Sequence, residues 1–270
     1  MLDRLLDLYL RYRVALPVAS FLIYLNTTKI VQGGIGLESV YCGLSFLALI
    51  EISYAYDARF RNKEDIINIP GGGVVKHSVR HLLAAAAVPV VLLLSAGFLP
   101  LLIYAAAAIF VYSDPHLFPR PFKTIPGLKM LVNMLNFWVV GILAPMLFIH
   151  DLSVGLIFSV LRVSGPFLIL LFCLNVLVDI RDTPGDRAAG IWTLPAVIGV
   201  PASAALIILM LTAAGSAAVA RGDIGGAVFA FGLAVFSFFA MKPRSRLYYE
   251  WALAFTNVYL GATLAYRTLL

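Results

Sequence analysis

Asp179-Ile180-Arg181-Asp182-Thr183-Pro184-Gly185-Asp186 follows directly on an almost uncharged apolar run, 154–178, that is long enough to cross a bilayer. Carboxylates at i, i+3 and i+7 stack along one helix face, although Pro184-Gly185 can bend the last turn. Charge is costly at a membrane boundary, so three acids on one stripe call for cations. Hard divalent cations take oxygen ligands, keep part of their water and bridge phosphates. The stripe therefore reads as a handle for Mg2+ and a diphosphate, against the plainer reading of a solvated helix end.

Working outward, the rest of the chain has the composition of a membrane protein. Of its 270 residues 61% are hydrophobic and 13% charged, and the mean hydropathy is +0.95, outside the range of soluble domains. Apolar runs recur at 14–30, 35–54, 82–98, 101–111, 130–149, 152–178, 191–220, 224–241 and 247–264. Each approaches the length needed to span about 30 Å of hydrocarbon, 101–111 only by borrowing flanking residues. The pattern predicts a single all-α integral membrane domain, 1–270, with nine transmembrane helices. Pro17, Pro145, Pro166, Pro195 and Pro201 predict kinked spans. The run Ala105–Ala108 reads as a packing surface.

Basic residues set the orientation. With a cytoplasmic amino terminus, nine spans leave residues 1–13, 57–80, 114–129, 179–190 and 242–248 inside, and these hold sixteen of the twenty Lys and Arg. That asymmetry follows the positive-inside rule. Lys129 is accounted for by this asymmetry alone. The net charge of +6 then reflects topology and anionic headgroups, and gives no argument for nucleic acid. The start MLDRLLDLYLRYR is charged and amphipathic; it reads as an interfacial helix rather than a cleavable signal. Cys42 and Cys173 lie in apolar spans as small hydrophobes, and the four histidines show no zinc spacing. Arg162, inside a span, reads as a snorkelling side chain or half of an internal ion pair.

A second acidic segment, 54–68, falls between the second and third runs on the same side. Asp57, Arg61 and Asp65 are four apart and share a face if helical. A cation stripe and a surface salt bridge through Arg61 are both compatible with that spacing.

Taken together, these motifs resemble the UbiA superfamily of intramembrane prenyltransferases. The stretch DIRDTPGDRAAGIWTLPAVIG, 179–199, is similar to that family's second aspartate-rich motif and the Gly-x-x-Thr-Leu-Pro segment after it. The segment 57–68 resembles its first motif, Asn-x-x-x-Asp-x-x-x-Asp with a later Asn; Asp57 stands in the Asn place, Arg61 in the middle Asp place, and Asp65 and Asn68 match. A third patch, 112–129, resembles the loop that carries Tyr-Ser and a diphosphate-contacting basic residue. The resemblance implies a helical bundle around a central cavity with both Asp-rich motifs at the cytoplasmic side. It implies Mg2+ held by Asp65, Asp179, Asp182 and Asp186, which with Lys123, the basic residue in contact with the diphosphate, form the catalytic set. Asp57, Arg61, Asn68, Tyr112, Arg120 and Arg181 are the expected substrate-binding residues, and an isoprenyl diphosphate plus an unidentified acceptor the expected partners within the lipid bilayer.

The chemistry has the same needs. An allylic diphosphate ionises only when charge on the departing oxygens is neutralised, which Mg2+ and Lys or Arg accomplish. The allyl cation must be kept from water among apolar and aromatic walls, for which Tyr54, Tyr112, Phe137 and Trp138 are candidates. The expected activity is prenyl transfer to an aromatic or lipid acceptor. A terpene cyclase of the same fold and a non-catalytic transporter or cation-binding protein are the alternatives, the last disfavoured because the ionisable groups gather at one face.

The first motif departs from the family pattern. Either Glu64 or Asp57 supplies the oxygen that Arg61 displaces, or the motif holds its cation more weakly while Arg61 touches diphosphate directly. The second option predicts that Arg61→Ala weakens diphosphate affinity and slows turnover. Unchanged kinetics in that variant would exclude the contact.

Overall fold

The computed structural model describes residues 15–60, 67–68, 77–114, 125, 127–147 and 153–269, and every regular element among them is helical. The long helices are α1 (Ala15–Gln32), α2 (Leu37–Asp57), α3 (Val79–Ser95) and α4 (Leu99–Ser113). Next, α5 (Leu128–Trp138) passes through a π turn (Val139–Leu143) into the short α6 (Ala144–Leu147). The second half comprises α7 (Val154–Ala189), α8 (Leu194–Ile198), α9 (Val200–Ala220), α10 (Ile224–Phe239) and α11 (Arg246–Leu269). Among the described residues, each apolar run is mostly helical. The helices Leu37–Asp57 and Val200–Ala220, and the span Leu128–Met146, are each long and apolar enough to cross a membrane unaided. The amino-terminal interfacial helix expected over 1–13 lies outside the described residues.

Local chemistry sets several of the boundaries. Ser78 caps α3 by accepting from the His81 backbone N–H, and Asp223 caps α10 by accepting from Gly226 N. The run 191–220, expected as one span, is broken. Gly199 adopts φ +89° between α8 and α9, and Pro201 sits in the first turn of α9, so the helix restarts there. The π turn ends just before Pro145, which has no N–H to return to the helix. The Ala144 N–H reaches back to Val139 O, widening the coil by one residue where the proline ring would otherwise crowd Gly141 O. Pro184-Gly185, by contrast, does not interrupt α7.

Successive helices pack as neighbours around a ring that α11 closes against α1. One core, built on Ile23, Leu171, Leu174, Leu177, Ile207 and Leu233, joins α1, α7, α9 and α10; a second, built on Tyr24, Phe46, Leu93 and Phe98, joins α1 to α2, α3 and α4. The closing seam is polar: Asn26 Nδ2 donates to Leu260 O at 3.0 Å and Asn257 Nδ2 to Ala15 O at 2.9 Å. With no water to compete, such bonds between helices replace part of the hydrophobic drive. Ser45, Thr28, Ser203, Ser237 and Thr256 likewise donate to carbonyls four residues back. The outer surface is the reverse, with Leu83, Val88, Val228, Val235 and Val258 exposed. A surface of that kind belongs in hydrocarbon, and the protein is a multi-pass membrane protein.

Close approach at Gly43 fixes α2 on α1, since a Cβ there would meet the Phe21 and Tyr24 rings at 2.9 Å. Gly43→Val should therefore cost about 1–3 kcal/mol, read as a lowered midpoint of thermal unfolding in detergent. Gly232→Val, with nothing within 4 Å of its Cβ, should leave the midpoint nearly unchanged.

Candidate functional site

Helices α2, α4, α5, α7 and α11 enclose a cavity of about 190 Å³. Three of them line it over the same distance: Asp57 back to Phe46 on α2, Tyr112 back to Leu101 on α4, and Lys129 on to Val140 through α5 and the π turn. Eleven steps at 1.5 Å give a depth of roughly 16 Å. Because α2, α4 and α7 end where α5 and α11 begin, Asp57, Tyr112, Lys129, Asp179 and Glu250 meet at one end. One and two turns inward α5 contributes Asn133 and Asn136, and Tyr104 OH donates to Asn136 Oδ1 at 2.6 Å. Beyond them the walls are apolar, from Phe46, Leu49, Leu101 and Val140. Ala105 and Ala108, expected as a packing surface, line the chamber, and their short side chains leave its volume open.

The charged end is built on α7. That helix has 36 residues, about 54 Å, so its carboxyl-terminal turns continue past the apolar stretch and carry the acidic motif as ordered helix. Thr183 Oγ1 donates to Asp179 O at 2.8 Å, holding the turn. Asp179 and Asp186 are 3% and 0% exposed and close on a single cation: Lys129 Nζ lies 3.2 Å from Asp179 Oδ1 and 2.9 Å from Asp186 Oδ2. Gly127, at φ +73°, precedes α5 and aims Lys129, two residues on, at α7. Burial pushes the Asp186 carboxyl up to about 6 against the opposing pull of Lys129, and raises Asp179 in the same way.

Asp182 takes a different partner from its neighbours on the stripe. Arg181 grips it with Nε at 2.7 Å and a second guanidinium nitrogen at 2.8 Å, while the remaining nitrogen donates to Glu250 Oε1 at 2.7 Å. The planar fork satisfies two carboxylates at once, tying α7 to α11. Among the described residues no group of three His, Cys, Asp or Glu side chains is placed to hold a metal ion. Two of the three stripe carboxylates converge on Lys129, and the third is held by Arg181.

The expected substrate residues Asp57, Asn68, Tyr112 and Arg181 all line this cavity with Asp179, Asp182 and Asp186. Asn68 bridges the two motifs directly, its Oδ1 accepting from Gly185 N at 2.9 Å. Tyr54 and Phe137 are wall residues, whereas Trp138 packs between the two cores instead. Asp65, Arg61, Arg120 and Lys123 lie outside the described residues. Two side chains were not anticipated as site residues. Lys129, assigned above to topology, is the cation of the acidic pair. Glu250, 4% exposed, was absorbed into the ninth apolar run, although an acid there is itself a signal.

The fold and site define a class: a polytopic helical bundle whose apolar chamber opens at a cluster of buried carboxylates, lysine and arginine. Neither a protein-family model nor a curated protein sequence matches this chain. Among solved structures it is similar to the apo structure of a UbiA homologue from Aeropyrum pernix K1, at 16% identity and a TM-score of 0.60, covering 92% of this chain and 96% of that one. The chain has the UbiA fold, as the sequence motifs implied.

Gly185 leaves no room for a side chain beside Asn68, which a Cβ would strike. Gly185→Ala should therefore destabilise the protein by about 1–3 kcal/mol, and Asn68→Ala in the same chain should recover part of that loss. A double-mutant cycle of melting midpoints in detergent checks the coupling; strict additivity would refute it.

Proposed function

We propose that the protein is a Mg2+-dependent intramembrane prenyltransferase, moving a prenyl group from an isoprenyl diphosphate to an aromatic or lipid acceptor. The observation that carries the reading is one cavity that joins buried acidic and basic groups at its end to an apolar chamber about 16 Å deep. This division matches the substrate, an anionic head on a hydrocarbon tail. The UbiA fold supports it.

The residues present fit a hard divalent cation. Asp179 and Asp186 already share one positive atom through oxygen, and Mg2+ is commonly held by one or two carboxylates, waters and substrate phosphates. Asp179 and Asp186 would hold it, with Asp182 once Arg181 is drawn away, and Asp65 from the first motif. Bound there, the ion supplies charge neutralisation at the leaving diphosphate. The remaining work belongs to the chain. Lys129 and Arg181 face the same end and stabilise negative charge as the C–O bond breaks. Lys123, Arg120 and Arg61, which follow α4 and α2 in the sequence, are assigned the same role. Asn68 fixes the first motif against the second. Tyr54, Tyr112 and Phe137 exclude water from the allyl cation and present ring faces to it. The acceptor then bonds to the allylic carbon, and its proton leaves with the diphosphate. We further assign nine spans, with the amino terminus and both motif segments cytoplasmic, on the charge asymmetry of the loops.

Incubating purified protein with Mg2+, geranyl, farnesyl or geranylgeranyl diphosphate and a panel of acceptors should yield an acceptor adduct and diphosphate. A cyclic hydrocarbon or alcohol without acceptor would identify a cyclase instead. Asp182→Asn should lower metal-dependent diphosphate release by at least about 100-fold. Undiminished release in that variant, or none in the wild type, would remove the enzymatic assignment.

A further inference from the structure

Lys129 holds a position that the prenyltransferase reading reserves for a metal. Its Nζ bonds Asp186 through both oxygens, at 3.1 and 2.9 Å, and lies 3.2 Å from Asp179. These two carboxylates are the most deeply buried acids of the stripe. A divalent cation bound by the same oxygens must push the ammonium aside, because two positive centres cannot share one buried pair in a low dielectric. The displaced amine has somewhere to go: Lys129 lines the cavity itself, its side chain is 16% exposed, and four methylenes let it swing toward the chamber.

Resting on that reading, we propose that Lys129 is a built-in rival for the metal site. It satisfies Asp179 and Asp186 internally, lowers the affinity of the protein for metal alone, and transfers its charge to the diphosphate when substrate and metal load together. Metal binding without diphosphate strands the ammonium, while diphosphate oxygens give it a new partner. The two ligands therefore assist one another through a single side chain, a coupling of the ordinary thermodynamic kind. Arg181 stands apart from this competition, since the carboxylates it bonds are Asp182 and Glu250 rather than the Asp179–Asp186 pair.

The experiment measures Mn2+ binding to the full chain in detergent, without substrate, by loss of the free-ion EPR signal. Lys129→Met should bind Mn2+ at least about 10-fold more tightly than wild type, and Lys129→Arg, which keeps the charge, should stay near wild type. Equal or weaker binding by Lys129→Met overturns the inference. Because that variant leaves two buried carboxylates without their cation, its melting midpoint should fall and recover with Mn2+. Should it fail to fold even then, the wild type decides. Acylation of Lys129 by an amine reagent, followed by peptide mass spectrometry, should accelerate on adding Mn2+, with the exposed Lys242 as an unaffected control; an unchanged rate refutes the displacement. Metal-dependent turnover alongside unaltered Mn2+ affinity in Lys129→Met would sink this inference alone. Absence of both Mn2+ binding and metal-dependent turnover would take the prenyltransferase reading with it.

Discussion

The pairing of buried charge at one end of the bundle is the constraint around which the rest is arranged. Lys129 reaches from α5 to Asp179 and Asp186 on α7, and Arg181 reaches from α7 to Asp182 beside it and Glu250 on α11. Removing such groups from water costs several kcal/mol each, and only close, hydrogen-bonded partners offset that cost. The helices must therefore stay in register at this end, and the register holds open the cavity between them. Five carboxylates, Asp57, Asp179, Asp182, Asp186 and Glu250, stand here with three cations, Lys129, Arg181 and Arg246, among the described residues.

The apolar body of the protein serves that end. In hydrocarbon the helices gain little from hiding hydrophobic surface, so they are joined by close approach at small residues and by interhelical amides. Gly43 lets α2 settle on the rings of α1, and Asn26 and Asn257 close the ring between α1 and α11. The π turn above Pro145 places Val139 and Val140 on the chamber wall. The irregularity of the π turn thus lies where it shapes the cavity, inside protein and away from lipid.

Much of the helical layout was legible because hydrophobicity at membrane length is a strong signal, and among the described residues the apolar runs are mostly helical. Its breaks were harder to read. The interruption at Gly199 depended on a positive φ that a glycine permits but does not require, and Pro184-Gly185, a stronger breaker on paper, left α7 intact. Within the site, Asp179, Asp182 and Asp186 announced themselves by spacing. Glu250 was hidden because one acid barely changes the hydropathy of a long run, and Lys129 because a lysine at a loop edge already satisfies the topology rule.

The sequence by itself determined the class of the molecule, its helical periodicity and the acidic stripe, since these follow from local composition and from the 3.6-residue repeat. It determined that Asn68 and Gly185 belong to two motifs, but not that they touch. The tertiary structure decided which charges meet: that Asp179 and Asp186 share Lys129 while Asp182 goes to Arg181. Those pairings depend on where separate helices end in space, and spacing along one helix carries no information about the cation that a different helix delivers.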